Sequence, residues 1–120
     1  MELHIDEIDG VFIFEIEGEV DFGDCRDFEI CVQTLVDKVV DRIVFEMSRF
    51  DNMVSSGIGT LVWLAGYMKE RGGRLALAAV NRRLLLILDR LEVTSYFELY
   101  PDEASALVAL RDGRPNSTTS

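Results

Sequence analysis

Residues 11–17, Val-Phe-Ile-Phe-Glu-Ile-Glu, constrain the fold more than any other stretch of this chain. Extended, they place Phe12, Phe14 and Ile16 on one face and Val11 and Ile13 on the other. A strand that is apolar on both faces belongs inside a sheet covered on both sides, which points to a layered α/β fold. Residues 3–8 form a second extended run, and Asp9-Gly10 between the two is a strong hairpin signal. The sheet is therefore expected to open antiparallel.

Beyond the hairpin, residues 18–23 read as a loop, with Asp21 or Asp24 capping the helix that follows. Phe28, Cys31, Val32, Leu35, Val36 and Val39 recur with helical period. Residues 42–47 are an apolar strand, residues 48–56 a connecting loop, and residues 58–71 an amphipathic helix that Gly72-Gly73 can end with a left-handed cap. Residues 75–80 are a short strand. Asn81 then caps a helix whose buried stripe is Leu84, Ile87, Leu88 and Leu91, with Leu85 and Leu86 widening that core face. Residues 97–100 form a last short strand, and Pro101 at N1 opens an acidic terminal helix that Gly113 and Pro115 stop. This order predicts one domain over residues 1–112 and a polar tail over 113–120. The fold class is α/β, a largely parallel sheet of four or five strands with about four helices.

The loop before the second helix carries the most chemistry. Ser55 and Ser56 lie where a strand hands over to a helix N-terminus, where backbone N–H groups are unpaired and the helix dipole is positive. A serine there serves as an N-cap, or carries a phosphate that the same N–H groups stabilise; the two roles can be divided between the two serines. At about 100° per residue, Ile58, Leu61, Val62, Ala65 and Met68 share a core stripe. Ser56, Gly59, Thr60, Trp63 and Tyr67 fall on the opposite side, where two aromatics in line with a hydroxyl suggest a docking face, for a partner protein or for a second copy. The small Gly59 and Thr60 would let a partner come close to the backbone.

Charge and composition exclude several classes. A net charge of −10 disfavours nucleic acid and anionic membrane surfaces as partners. No apolar run is long enough to insert in a membrane, and the start of the chain lacks a basic leader, so a cytoplasmic protein is expected. Cys25 and Cys31, six residues apart on one helix, cannot pair with each other and read as small buried hydrophobes. His4 is the sole histidine, which leaves serine–histidine chemistry and a multi-histidine metal site without their parts. Gly57-Ile58-Gly59 forms neither a dinucleotide fingerprint nor a P-loop, and an aspartate-phosphorylated receiver would need a lysine near the last strand that is missing. No catalytic residue, cofactor or metal is expected.

Gly18-Glu19-Val20-Asp21, Ser55-Ser56-Gly57-Ile58-Gly59 and Lys69-Glu70-Arg71-Gly72-Gly73-Arg74-Leu75, in this order and spacing, resemble STAS domains, and among them the stand-alone anti-sigma-factor antagonists. The similarity runs over residues 11–110. It implies a bacterial partner switch: the unphosphorylated antagonist binds an anti-sigma factor that is also a GHKL-type serine kinase, is released when phosphorylated, and is reset by a PP2C-type serine phosphatase. It implies Ser56 as phosphoacceptor and Ser55 as a contact and capping residue; with the acidic neighbours Asp21, Asp24 and Asp51 and with Gly57, Gly59, Thr60, Trp63 and Tyr67 of the second helix, Ser55 makes up the expected partner-binding set. Many members carry an acid before the serine pair, where this chain has Val54. The alternative is a STAS module that works without phosphorylation, docking on a transporter ATPase or a larger signalling assembly.

Overall fold

The computed structural model describes residues 1–111. The expected stop signals Gly113 and Pro115, the domain end at 112 and the polar tail lie outside these residues. Strands β1 (Glu2–Ile8) and β2 (Val11–Val20) form the antiparallel hairpin, with Asp9 and Gly10 both at positive φ as the turn requires. There follow α1 (Cys25–Asp37), β3 (Arg42–Glu46), β4 (Phe50–Met53), α2 (Ser55–Glu70), β5 (Arg74–Ala78), α3 (Arg82–Arg90), a 3₁₀ turn (Thr94–Tyr96), β6 (Glu98–Tyr100) and α4 (Glu103–Arg111).

The sheet has the order β1-β2-β3-β5-β6, parallel from β2 onward, and β4 pairs with the far end of β2 as a sixth strand. Two expectations change here. Residues 18–20 are not loop but the end of β2, and residues 50–53 are not loop but β4. A register shift between Gly18 and Glu19 lets β2 turn from β3 to β4 as partner.

The two faces of β2 divide the core as its sequence demands. Phe14 and Ile16 join Ile43, Phe45, Leu75 and Leu77 under α1, α2 and α3, whereas Val11 and Ile13 join Val44, Ala76 and Ala78 under α4 alone. Small residues on β5 let α4 pack closely on that side. The C-terminal carbonyls of α4 are met by arginines from two strands: Arg42 donates to Leu110 O (3.0 Å) and Arg74 to Ala109 O (3.2 Å).

Helix ends account for two of the misplaced core residues. α1 and α3 close in the same way as α2, with a residue at positive φ just past the cap. For α2 it is Gly72, as expected. For α1 it is Val39, which is 86% exposed and so leaves the predicted apolar stripe. For α3 it is Glu92, and Leu91 just before it is 52% exposed rather than buried. Leu86 is likewise exposed, Ile87 is half-buried, and only Leu84 and Leu88 are fully in the core. Leu64 joins the α2 stripe, while Val62 is half-buried. Pro101 precedes α4 without entering it; Asp102 accepts the Ser105 N–H (2.8 Å) and caps the helix. Asn81 caps α3 as expected, accepting from Leu84 N–H (2.9 Å).

Candidate functional site

Strand β4 ends at Met53 and α2 begins at Ser55, which leaves Val54 alone to make the turn. Its backbone is extended (φ −73°, ψ 167°) and its carbonyl accepts from Gly57 N–H (2.9 Å) and Ile58 N–H (3.1 Å), so Val54 is the N-cap. The expectation of a serine cap is thereby corrected: Ser55 and Ser56 are the first two residues of the helix, and no side chain caps it. The first turn keeps its positive partial charge facing outward beside two exposed hydroxyls.

The two hydroxyls serve different surfaces. Ser56 lines a groove of about 460 Å³ between α1 and α2, with Thr60 and Trp63 on its own helix and Glu29, Val32 and Gln33 opposite. Ser55 lines an apolar groove of about 520 Å³ between α2 and α3, with Ile58, Val62, Ile87, Leu91 and Val93. Gly59 belongs to both and forms the ridge between them. It is exposed, and a Cβ built on it meets no atom within 4 Å. A flat surface laid over this helix would therefore touch backbone at the ridge and reach a groove on each side.

Trp63, 49% exposed, shares the Ser56 groove as its helical phase suggests. Tyr67 stands behind it, the two rings stacked at 5.2 Å and 23°. The Arg71 guanidinium lies 3.7 Å from the centre of the Tyr67 ring. This ladder along α2 fixes the indole by its neighbours and gives the groove a rigid wall.

The predicted aspartates sit differently. Asp21 and Asp24 bind each other's backbone: Asp24 N–H donates to Asp21 Oδ1 (3.0 Å) and Asp21 N–H to Asp24 Oδ2 (3.1 Å). Asp24 is the N-cap of α1 as expected, its carbonyl accepting from Phe28 N–H (2.9 Å) with no side-chain bond to the helix, and its carboxylate forms a capping box with Asp21 around the turn before it. Asp51 is exposed on β4, where its carbonyl accepts from Asn81 Nδ2 (3.1 Å). None of the three lines either groove. The acidic residue that shares the groove with Ser56 is Glu29, which sequence reading missed because only the packing of α1 on α2 reveals it. Gly57, expected on the partner face, is buried instead: a Cβ there would meet Met53 and Val20 at 3.3–3.4 Å. Its role is to let α2 sit close on β2 and β4.

On the opposite face of the sheet, beside α4, lies a carboxylate group that the sequence pattern did not show. Glu15, Glu46 and Glu103 bring carboxylate oxygens within 4.8 Å of one another, and at the hairpin Glu2 and Glu17 bring carboxylate oxygens within the same distance of an imidazole nitrogen of His4. Glu46, 9% exposed, is satisfied by Ser48, whose N–H (2.7 Å) and hydroxyl (2.8 Å) both donate to it. Burial, with the charges of Glu46, Glu15 and Asp6, pushes the Glu103 carboxyl above its ordinary range. At the other end of the sheet, Arg74 grips Glu98 with two bonds (2.6 and 2.7 Å), and Tyr100 donates to the same carboxylate (2.7 Å). Burial alone would raise Glu98, but these bonds outweigh it and hold the group low; burial and the neighbouring carboxylate push Tyr100 up to about 12. Both cysteines are free, and burial beside Asp27 pushes the Cys31 thiol up, away from the reactive thiolate. Among the described residues no helix is long and apolar enough to cross a membrane.

Comparison with known proteins agrees with this architecture. Residues 2–106 match the STAS domain family. The chain is similar to a putative anti-sigma factor antagonist, BtrV, of Bordetella bronchiseptica, 25% identical over 101 residues that cover 84% of each protein. Its fold is similar to that of a putative anti-sigma factor antagonist from Thermotoga maritima, with TM-score 0.81 and 19% identity over 91% of this chain and 94% of that one. It is also similar to that of the Bacillus cell fate determinant SpoIIAA, solved in its phosphorylated form, with TM-score 0.76 and 14% identity over 91% and 99% of the two chains.

Proposed function

The chain belongs to the STAS domain family, and we propose that within it the protein is an anti-sigma-factor antagonist whose partner binding is switched by phosphorylation of Ser56. Unphosphorylated, it covers an anti-sigma factor with the first turns of α2 and the grooves on either side. That partner, a serine kinase of the GHKL type, transfers a phosphate to Ser56 and loses its grip. A serine phosphatase of the PP2C type restores the docking form, all in the cytoplasm.

The observation that carries this reading is the position of Ser56: exposed, at a helix N-terminus without a side-chain cap, in a groove shared with Trp63 and Glu29. A phosphate adds about −1.5 to −2 charges, and in the free protein the helix dipole and open N–H groups offset them by about 0.3–1 kcal/mol. Under a docked partner the same charge loses water and shares the groove with Glu29. A net loss of about 3 kcal/mol there weakens binding roughly a hundredfold. The fold survives and the complex does not. The similarity to named antagonists supports the partner class.

The test is recovery of complexes from the native host with wild-type, Ser56→Ala and Ser56→Glu chains as bait. The proposal expects wild type and Ser56→Ala to hold a small ATP-binding serine kinase and Ser56→Glu to lose it with unchanged circular dichroism. A transporter ATPase recovered equally by all three would instead establish a docking module that ignores phosphorylation.

A further inference from the structure

The turn between β2 and α1, which is hydrogen-bonded to the turn that opens α2, displays an apolar side chain. Phe22 is 79% exposed, more than any other aromatic among the described residues. It is held there by a turn that has little freedom. Asp21 and Asp24 exchange their carboxylate–amide bonds around it, and the Cys25 thiol donates to Asp21 O (3.3 Å). The α-ammonium of Met1 lies 3.9 Å from Asp24. A Cβ on Gly23 would come within 3.3 Å of the Asp21 carboxylate, so the glycine keeps this lock intact.

The turn is also joined to the start of α2. Val54 N–H donates to Val20 O (3.0 Å), and the Val20 side chain packs against Gly57. Phe22 and the serine pair thus stand on neighbouring, mutually braced turns of the same edge. An apolar side chain on a braced turn loses little backbone freedom on binding, a condition under which one side chain contributes strongly to an interface.

We infer that Phe22 is the residue by which this chain selects its partner, inserting into an apolar pocket edged by lysine or arginine. The flanking charges decide the pocket's chemistry: Asp21 and Asp24 flank Phe22 in the same turn of a chain of net charge −10, so a basic rim is complementary and an acidic one is repelled. This deepens the reading proposed above and rests on it, the pocket belonging to the anti-sigma factor.

The experiment places the photo-crosslinking residue p-benzoylphenylalanine at position 22 of the full chain in the native host, with the same residue at Val108, exposed on α4, as control. The expected adduct forms at 22 and not at 108, and its mapped peptide carries apolar residues among lysines or arginines of the serine kinase. Phe22→Ala should weaken that complex about 10- to 100-fold at an unchanged unfolding midpoint, and Phe22→Tyr should retain it. If the kinase still binds Phe22→Ala within twofold, or forms no adduct at 22, the inference is overturned while the switch stands. If Ser56→Glu binds the partner as wild type does, both fall.

Discussion

Replacing Gly59 with alanine should make the protein more stable and a poorer binder. Glycine inside a helix costs about 1 kcal/mol relative to alanine, through the backbone freedom that folding removes. At Gly59 nothing offsets that gain, because an added Cβ meets no atom within 4 Å. The unfolding midpoint should therefore rise by about 3–5 °C for a domain of this size. The same methyl stands on the ridge between the two grooves, where a docked partner must pass over backbone. Overfilling a packed contact costs about 1–3 kcal/mol, which is roughly a 5- to 100-fold loss of affinity. Gly66, further along α2, is the control: its added Cβ would make an ordinary 3.8 Å contact with Tyr96, so Gly66→Ala should gain similar stability and bind normally. Calorimetric melting of the three proteins and titration against the anti-sigma partner read both effects. A Gly59→Ala protein that melts lower would refute the open ridge, and one that binds within twofold would refute its place in the interface.

Other substitutions test the local physics. Val54→Asp supplies the side-chain acceptor that the N-cap lacks and should add about 1 kcal/mol in urea unfolding, because its extended backbone already suits a cap. Val39→Gly should stabilise by about 0.5–1 kcal/mol despite deleting an apolar side chain, since that side chain is exposed and its backbone is left-handed at φ 56°. The two perturbed glutamates predict opposite responses to pH. Glu98 is held below its ordinary 4.5, so its contribution is full above that value and disappears as pH falls through the folded pKa; Arg74→Ala should remove this acid-labile part. Glu103 is raised above 4.5, so its penalty is full at neutral pH and is relieved as pH falls through the folded value toward 4.5. Glu103→Gln should be slightly more stable than wild type near pH 7 and equal to it below pH 4.5, as pH-dependent unfolding would show.

Features that depend on local chemistry were legible in the sequence. The two-faced pattern of β2, the Asp9-Gly10 turn, the Asn81 cap and the Gly72 helix end each follow from neighbours a few residues away, and the structure has them. What escaped depends on distant partners. Phe50-Asp51-Asn52-Met53 has no strand pattern of its own and becomes β4 only because the bulged end of β2 offers it a ladder. Val39 and Leu91 continue the helical period past the point where the helix has closed, so periodicity counted them as core.

The site divides in the same way. The phase of α2 put Ser56, Gly59, Thr60 and Trp63 on one surface, and they line one groove. The opposite wall, Glu29 and Gln33, and the apolar groove of Ile87, Leu91 and Val93 arise from helix packing, which no single segment encodes. Gly57 was misassigned for a related reason. A glycine next to the serine pair suggests an open surface, but the close approach of β2 and β4 is what requires it.

The central claim, that Ser56 governs binding, is tested most directly by peptide-level mass analysis of the protein isolated from its own host under several growth conditions. The account predicts a phosphorylated fraction on Ser56, none on Ser55, and absence of that fraction from material recovered in complex with the anti-sigma factor. A chain unmodified at Ser56 in every condition, or a phosphorylated form recovered as readily in the complex as the unmodified one, would contradict it.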